Sequence, residues 1–219
     1  MEDKRPHVAI VDYRMGNLFS VKNACTKAGL EAIITSSPEE ILKADALILP
    51  GVGSFGEAMK NLGKLKLIDT LMKFVSLSKP LIGICLGMQL LMEESFEFGH
   101  HRGLGIITGR VVSLKQPHIK VPHICWNRLY RTQNANWSDT LLNGLPEGVF
   151  MYFVHSFYVE PEEETIKKAV TRYGNVEFCS AIHVGNIFAC QCHPERSGKD
   201  GLRVYKNLAR KLLQGEVHG

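Results

Sequence analysis

No stretch of this 219-residue chain is apolar for long enough to span a membrane as a helix. Its longest apolar runs, 44–52 and 81–86, fall well short of the roughly 18 residues required. The start, Met1-Glu2-Asp3-Lys4-Arg5-Pro6, is charged and leads directly into a strand-like run. No secretory leader is legible there, and a cytoplasmic protein is expected. Internal repeats, low-complexity tracts and Pro/Ser-rich linkers are lacking too, which leaves one domain over 1–219 with loose ends at 1–6 and 214–219. No G-x-x-x-x-G-K-[ST] sequence occurs, so a nucleotide phosphate loop is not expected. Cys190, Cys192 and His193 lack a second cysteine or histidine cluster, and strand alternation sets His193 opposite the two thiols, so neither metal nor cofactor is expected.

Charge of one sign is also scarce: 26 Lys+Arg stand against 22 Asp+Glu, a net +4. Lys60, Lys64, Lys66 and Lys73 fit a solvated helix face better than a nucleic-acid groove. The six cysteines are irregularly spaced and read as reduced thiols. At 45% hydrophobic and 22% charged residues, the composition is that of an ordinary globular protein. Its length suffices to bury about 70% of the unfolded surface.

The first hundred residues alternate buried strands with amphipathic helices. His7–Tyr13, Ala32–Thr35, Asp45–Pro50 and Pro80–Cys85 read as strands rich in β-branched residues. Helices follow at 17–29, at 38 onward, at 57–62, at 67–76 and at 86–97. Asn17 and the Ser37-Pro38-Glu39-Glu40 capping box supply two starts. This pattern predicts an α/β fold, with a mostly parallel central sheet and helices on both faces. Beyond Gly99 an added mixed-strand region is expected, with strands near 104–114, 120–130, 148–159, 168–173, 178–184 and 187–192. Gly185-Asn186 forms a hairpin turn and Lys199–Leu213 a closing helix.

The chemistry concentrates at three places. Gly83-Ile84-Cys85-Leu86-Gly87 sits where a strand becomes a helix and has the spacing of a nucleophile elbow, with cysteine in place of serine. Its glycines let the thiol stand clear, and the helix start favours thiolate. A buried structural cysteine is the alternative reading. His193-Pro194-Glu195 offers a base and an orienting carboxylate, and by itself reads equally as a surface turn. Pro50-Gly51-Val52-Gly53-Ser54-Phe55 is a glycine-rich turn that could aim the Val52 and Gly53 N–H groups at an oxyanion, with Leu86 N–H as partner donor; a loop without chemistry is the bland reading.

Together, Cys85-Leu86-Gly87-Met88-Gln89-Leu90-Leu91 and His193-Pro194-Glu195-Arg196-Ser197-Gly198 resemble the two signatures of class I (triad) glutamine amidotransferases, which have a flavodoxin-like core. Asp12-Tyr13-Arg14-Met15-Gly16-Asn17-Leu18, the 50–55 turn, 122–127 and 152–157 resemble the glutaminase-subunit family of imidazole glycerol phosphate synthases. The likeness runs from about 7 to 213. It implies hydrolysis of glutamine to glutamate and ammonia through a Cys85 thioester, with His193 and Glu195 completing the triad. It implies glutamine binding by Gln89, Glu97, His155, Ser156 and Phe157, the last through its backbone. The implied partner is a (β/α)8-barrel cyclase in a heterodimer, which makes imidazole glycerol phosphate and AICAR in histidine biosynthesis. Asn17, Trp126, Tyr152 and Arg196 would face that partner.

Three positions depart from the family's pattern. Arg14 and Cys125 stand where glycine is usual, and Cys192 where an aromatic is usual. They motivate a second reading, a paralogue supplying ammonia to a surface-sugar amidotransferase or another ammonia-accepting synthase. A cysteine peptidase or amidase, and a non-catalytic binding protein, are the remaining alternatives; the intact triad and the Gln89 and 155–157 matches weigh against them.

Overall fold

A computed structural model describes residues 5–133 and 135–215. The chain opens with β1 (His7–Val11), α1 (Leu18–Lys27), β2 (Glu31–Thr35), α2 (Pro38–Lys43) and β3 (Ala46–Gly51). It continues with α3 (Phe55–Lys64), α4 (Ile68–Ser76), β4 (Leu81–Cys85) and α5 (Leu86–Leu90). The expected caps form: Asn17 Oδ1 accepts the Ser20 N–H and Ser37 Oγ accepts that of Glu40. The reciprocal half of the capping box does not, because the Thr35 hydroxyl holds the Glu40 carboxylate instead. Most residues of the loose ends expected at 1–6 and 214–219 lie outside the described residues. Pro6 is not loose, since it is buried and its carbonyl accepts the Glu31 N–H.

Strands dominate the second half: β5 (Met92–Ser95), β6 (His101–Arg102), β7 (Ile107–Ser113), β8 (His123–Arg131), β9 (Val149–His155) and β10 (Phe157–Pro161). After these come β11 (Lys167–Tyr173), β12 (Val176–Val184), β13 (Ile187–Cys190) and the closing α6 (Gly198–Leu213). The large sheet has the order β2-β1-β3-β4-β13-β12-β11-β8-β9. Its first five strands run parallel and the remainder antiparallel, with β12 and β13 joined through Gly185-Asn186. A separate four-stranded sheet, β10-β7-β5-β6, lies against one face.

Side chains alternate across β1. Val8 and Ile10 enter a core with α1, α6 and the 137–145 loop, whereas Ala9 and Val11 enter the opposite core with α2–α5 and the second sheet. Both faces of the parallel half are therefore covered, and its strands read as continuous apolar runs for that reason.

Two expected elements change. The helix expected over 86–97 stops at Leu90, and Met92–Ser95 becomes a strand. The carbonyls needed to extend the helix are taken elsewhere: Leu90 accepts Leu104 N–H, Leu91 accepts Ile106 and Ile107 N–H, and Met92 accepts Gly105 N–H. The strand expected over 148–159 breaks at Ser156 into β9 and β10, which belong to different sheets. That break carries three of the expected glutamine-binding residues.

Candidate active site

Cys85 closes β4 with φ 53° and ψ −108°, a backbone region that side chains other than glycine seldom adopt. Strain of this kind persists only where the surroundings enforce it, and it collects at functional sites. The flanking glycines are what enforce it. A Cβ on Gly87 would lie 1.8 Å from the Leu49 carbonyl oxygen, and one on Gly83 would lie 3.0 Å from both Ala189 Cβ and Met88 N. The chain thus packs helix onto strand at backbone contact and lifts Cys85 out of line. Because α5 has only five residues, the local N–H groups matter more here than a long helix dipole. Leu86 is its first residue, so its N–H has no partner within the helix.

The second arm arrives through sheet pairing. β13 runs parallel to β4 with Cys190 opposite Ile84, which carries residues 191–195 past the elbow. His193 N–H donates to the Tyr152 carbonyl, and Ser197 Oγ donates to the His193 carbonyl while accepting the Tyr152 N–H. These bonds clamp His193 to β9. Its Nδ1 lies 2.7 Å from Glu195 Oε1, with both side chains almost wholly buried. Burial on its own disfavours the imidazolium, but Cys85 and then Glu195 more than offset it, and His193 is pushed up to about 11. Cys85 and Glu195 thus both act on the His193 imidazole, whose Nε2 makes no hydrogen bond among the described residues.

The glycine-rich turn reaches the same place. Gly51 pairs with Cys85 across β3 and β4, so residues 52 and 53 continue just beyond the sulfur-bearing residue. Tyr13 Oη donates to the Pro50 carbonyl at 2.6 Å. A Cβ on Gly51 would sit 2.1 Å from that hydroxyl oxygen. Gly53 has φ +111°, which glycine adopts freely.

The residues expected to bind glutamine divide into two groups. Gln89 Nε2 donates to the Phe157 carbonyl at 2.8 Å and to Gln191 Oε1 at 3.2 Å. Both its N–H bonds are spent, so only Gln89 Oε1 is left to accept from a substrate donor. The buried Glu97 carboxylate accepts the Phe55 N–H at the start of α3. Burial raises its pKa, against the opposing pull of that N–H and of His101. The Phe157 carbonyl also accepts from His155 Nδ1 at 2.9 Å, so its backbone oxygen joins Gln89 to His155. The His155 ring is committed inside the fold, with Nε2 2.9 Å from His123 Nδ1. Its imidazole ties the sheets together rather than presenting a free donor. The Ser156 carbonyl accepts the Leu114 N–H at the junction.

On the outer face, Trp126 and Tyr152 are cross-strand partners on β8 and β9, their ring centroids 6.2 Å apart. The Arg196 guanidinium lies 4.5 Å over the Tyr152 ring. Asn17 stands apart as the exposed cap of α1, the helix whose Ser20 and Asn23 share a shallow cavity with Pro194 and Glu195.

Sequence reasoning assigned no role to Gln191, Tyr13 or His123. Gln191 meets Cys85 from 106 residues away, and no local spacing signals such a contact. Arg14, unusual in sequence, has φ +67°, so it occupies a conformation that suits glycine. Cys190 Sγ donates to the Cys192 carbonyl, and both cysteines face the core.

Comparison with known proteins accords with this geometry. The profile of the glutamine amidotransferase class-I family matches residues 9–212. The imidazole glycerol phosphate synthase subunit HisH of Aquifex aeolicus is 45% identical over 203 residues, covering 92% of this chain and 95% of that one. Its counterpart from Sulfurimonas denitrificans is 44% identical, covering 93% and 97%. Among solved structures, PurLQS from Thermotoga maritima matches the fold with a TM-score of 0.69 at 20% identity, covering 95% of this chain and 100% of that chain. The chain belongs to the class-I glutamine amidotransferases, within the HisH family of imidazole glycerol phosphate synthase subunits.

Proposed function

We propose that this chain is the glutaminase subunit of an imidazole glycerol phosphate synthase. The Cys85 proton passes to His193, and the sulfur attacks the side-chain carboxamide carbon of glutamine. The resulting oxyanion is held by Leu86 N–H and by the Val52 and Gly53 N–H groups. The intermediate collapses, His193 returns the proton to the leaving nitrogen, and ammonia departs. Water then adds to the Cys85 thioester with His193 as base, releasing glutamate and the thiol. Glu195 orients the imidazole and balances its charge. Gln89, Glu97 and the 155–157 backbone hold the amino-acid end of the substrate.

The observation that carries this reading is the strained Cys85 elbow beside the sealed His193–Glu195 pair. Ammonia then serves a (β/α)8-barrel cyclase in a heterodimer, docked over Trp126, Tyr152, Arg196 and Asn17, within cytoplasmic histidine biosynthesis. The 44–45% identity to HisH proteins over most of both chains supports this acceptor over a sugar precursor. The test is glutamate release from glutamine by wild type and Cys85→Ala, alone and with a HisF-type cyclase plus its acceptor-site ligand. Cys85-dependent turnover that rises with the cyclase is expected. Absence of turnover in wild type with the cyclase would refute the glutaminase reading, turnover retained by Cys85→Ala would refute Cys85 as the nucleophile, and turnover indifferent to the cyclase would refute the partner.

A further inference from the structure

Gln191 is fully buried, and its side chain bridges two groups of the site. Its Nε2 lies 3.4 Å from Cys85 Sγ, and its Oε1 lies 3.2 Å from Gln89 Nε2. The orientation of this amide follows from the chain of bonds. The Phe157 carbonyl can only accept, so Gln89 must turn its NH2 toward it, at 2.8 Å. That NH2 then presents its second hydrogen to Gln191, which must answer with oxygen. Gln191 is left with its own NH2 facing the sulfur. The relay from the Phe157 carbonyl through Gln89 to Gln191 thus has one self-consistent direction, and it delivers an N–H donor to Cys85.

We propose that Gln191 is a catalytic residue, whose Nε2–H holds the Cys85 sulfur in its thiolate form for attack and again when the thioester is cleaved. The thiol has an alternative in the Val154 carbonyl, 3.7 Å away, to which S–H can donate. Once the proton has moved to His193, that bond is gone and the Gln191 donor faces a full negative charge. Hydrogen bonds to charged acceptors are the stronger kind. In the thioester the sulfur is neutral and holds Gln191 weakly. As water expels the sulfur, charge returns to it and the bond strengthens, so the donor assists the leaving group of the second step. The relay also ties the nucleophile to Gln89, on the substrate side of the site.

This inference rests on Cys85 being the nucleophile, and the readout that decides it needs neither glutamine nor partner. Rates of Cys85 alkylation by iodoacetamide would be followed against pH for wild type, Gln191→Leu, Gln191→Met and Gln191→Glu. Each variant would first be checked for a wild-type melting transition, and the three offer different chances of folding. Loss of the donor is expected to raise the alkylation midpoint by about one pH unit in the Leu and Met variants. The rate at the high-pH plateau should rise about three-fold, because a less stabilised thiolate is the better nucleophile. Gln191→Glu should raise the midpoint further through like-charge repulsion. With the cyclase present, kcat for glutamate release should fall about 10- to 100-fold, with KM within about three-fold. A folded variant with an unmoved alkylation midpoint overturns the proposal, even if turnover is lost, because a merely structural role would produce that result. Failure of the glutaminase reading is distinct: wild type with the cyclase would then release no glutamate, whatever the alkylation profile does.

Discussion

His193 Nδ1 and Glu195 Oε1 stand 2.7 Å apart in a site where the two side chains are 3% and 2% exposed. A charged pair so deeply buried is costly unless it performs a task or is fully compensated. Here His193 Nε2 and Glu195 Oε2 lack hydrogen-bond partners among the described residues. Half of each side chain is therefore committed to the pair, and on the imidazole the uncommitted nitrogen is the one available for proton exchange with Cys85. Replacing Glu195 with Gln should lower kcat for glutamate release by about 10²- to 10⁴-fold with little change in KM. Steady-state kinetics with the cyclase present would check this, and a loss confined to KM would contradict it.

The same pair sets a pH signature. The His193 pKa is raised in the folded state, up to about 11 from the usual 6.5, despite burial, by Cys85 and Glu195. A raised folded pKa gives stability that is complete below the unfolded value and disappears as pH rises through the folded one. The gap in melting temperature between wild type and Glu195→Gln should therefore be widest near pH 6 and close between about pH 6.5 and 11. A gap that stays constant across that window would show that Glu195 does not hold the His193 pKa up.

Two further buried histidines, His123 and His155, behave oppositely to His193. Burial, reinforced for His155 by His123, lowers His155 to about 3, and burial lowers His123 to about 4. Their bonds demand neutral rings. His155 Nδ1–H donates to the Phe157 carbonyl, so its Nε2 must accept from His123 Nδ1–H. His123 Nε2 then accepts from Asn127 Nδ2, 3.2 Å away. Their contribution to stability is present above about pH 6.5 and is lost as pH falls toward 4 and 3. Nitrogen-15 spectra should show both rings as Nδ1–H tautomers at neutral pH, with no titration before acid unfolding. A ring titrating near 6.5 in the folded protein would contradict this chain of bonds.

Backbone contact beneath the elbow makes two positions intolerant of small changes. Gly87→Ala would drive a methyl group to 1.8 Å from the Leu49 carbonyl oxygen. It should cost about 1–3 kcal/mol or more of stability and abolish turnover. Tyr13→Phe removes only the donor to the Pro50 carbonyl at the base of the glycine turn. A loss of about 1–3 kcal/mol is expected from the unsatisfied buried carbonyl. Urea unfolding of the two variants measures both numbers, and wild-type stability in either would refute the packing argument.

Trp126 is half exposed on the β8–β9 face, against Tyr152. If that face meets the cyclase, Trp126→Ala should weaken complex formation by about ten-fold or more. The rate of Cys85 alkylation in the isolated chain should not change. Calorimetric titration with the cyclase, set beside the alkylation rate, separates these effects; undiminished affinity would move the interface elsewhere.

Much of this architecture was legible in the chain itself. Period and punctuation placed the parallel strands, because a strand buried on both faces has to be continuously apolar. The glycines at 83 and 87 announced the elbow, since only glycine permits backbone contact on both sides of a strained residue. The 86–97 segment departs from its local helical pattern for an equally physical reason. Its apolar residues suit a helix locally, but residues 104–107 take the carbonyls that the helix needs, and that competition is invisible in sequence.

The sequence by itself determined which chemical groups were available: a cysteine between glycines, a histidine two residues before a carboxylate, and a turn able to aim its amides. Each of those signals is local, fixed by backbone geometry within a few residues. Only the tertiary structure decided what the groups do to one another. Pairing of β4 with β3 and β13 brings the three segments to one sulfur, and the break at Ser156 turns the Phe157 carbonyl toward Gln89. Through that carbonyl the direction of the Gln191 amide is fixed, because a hydrogen bond between residues 106 apart exists only once the sheet has closed the distance.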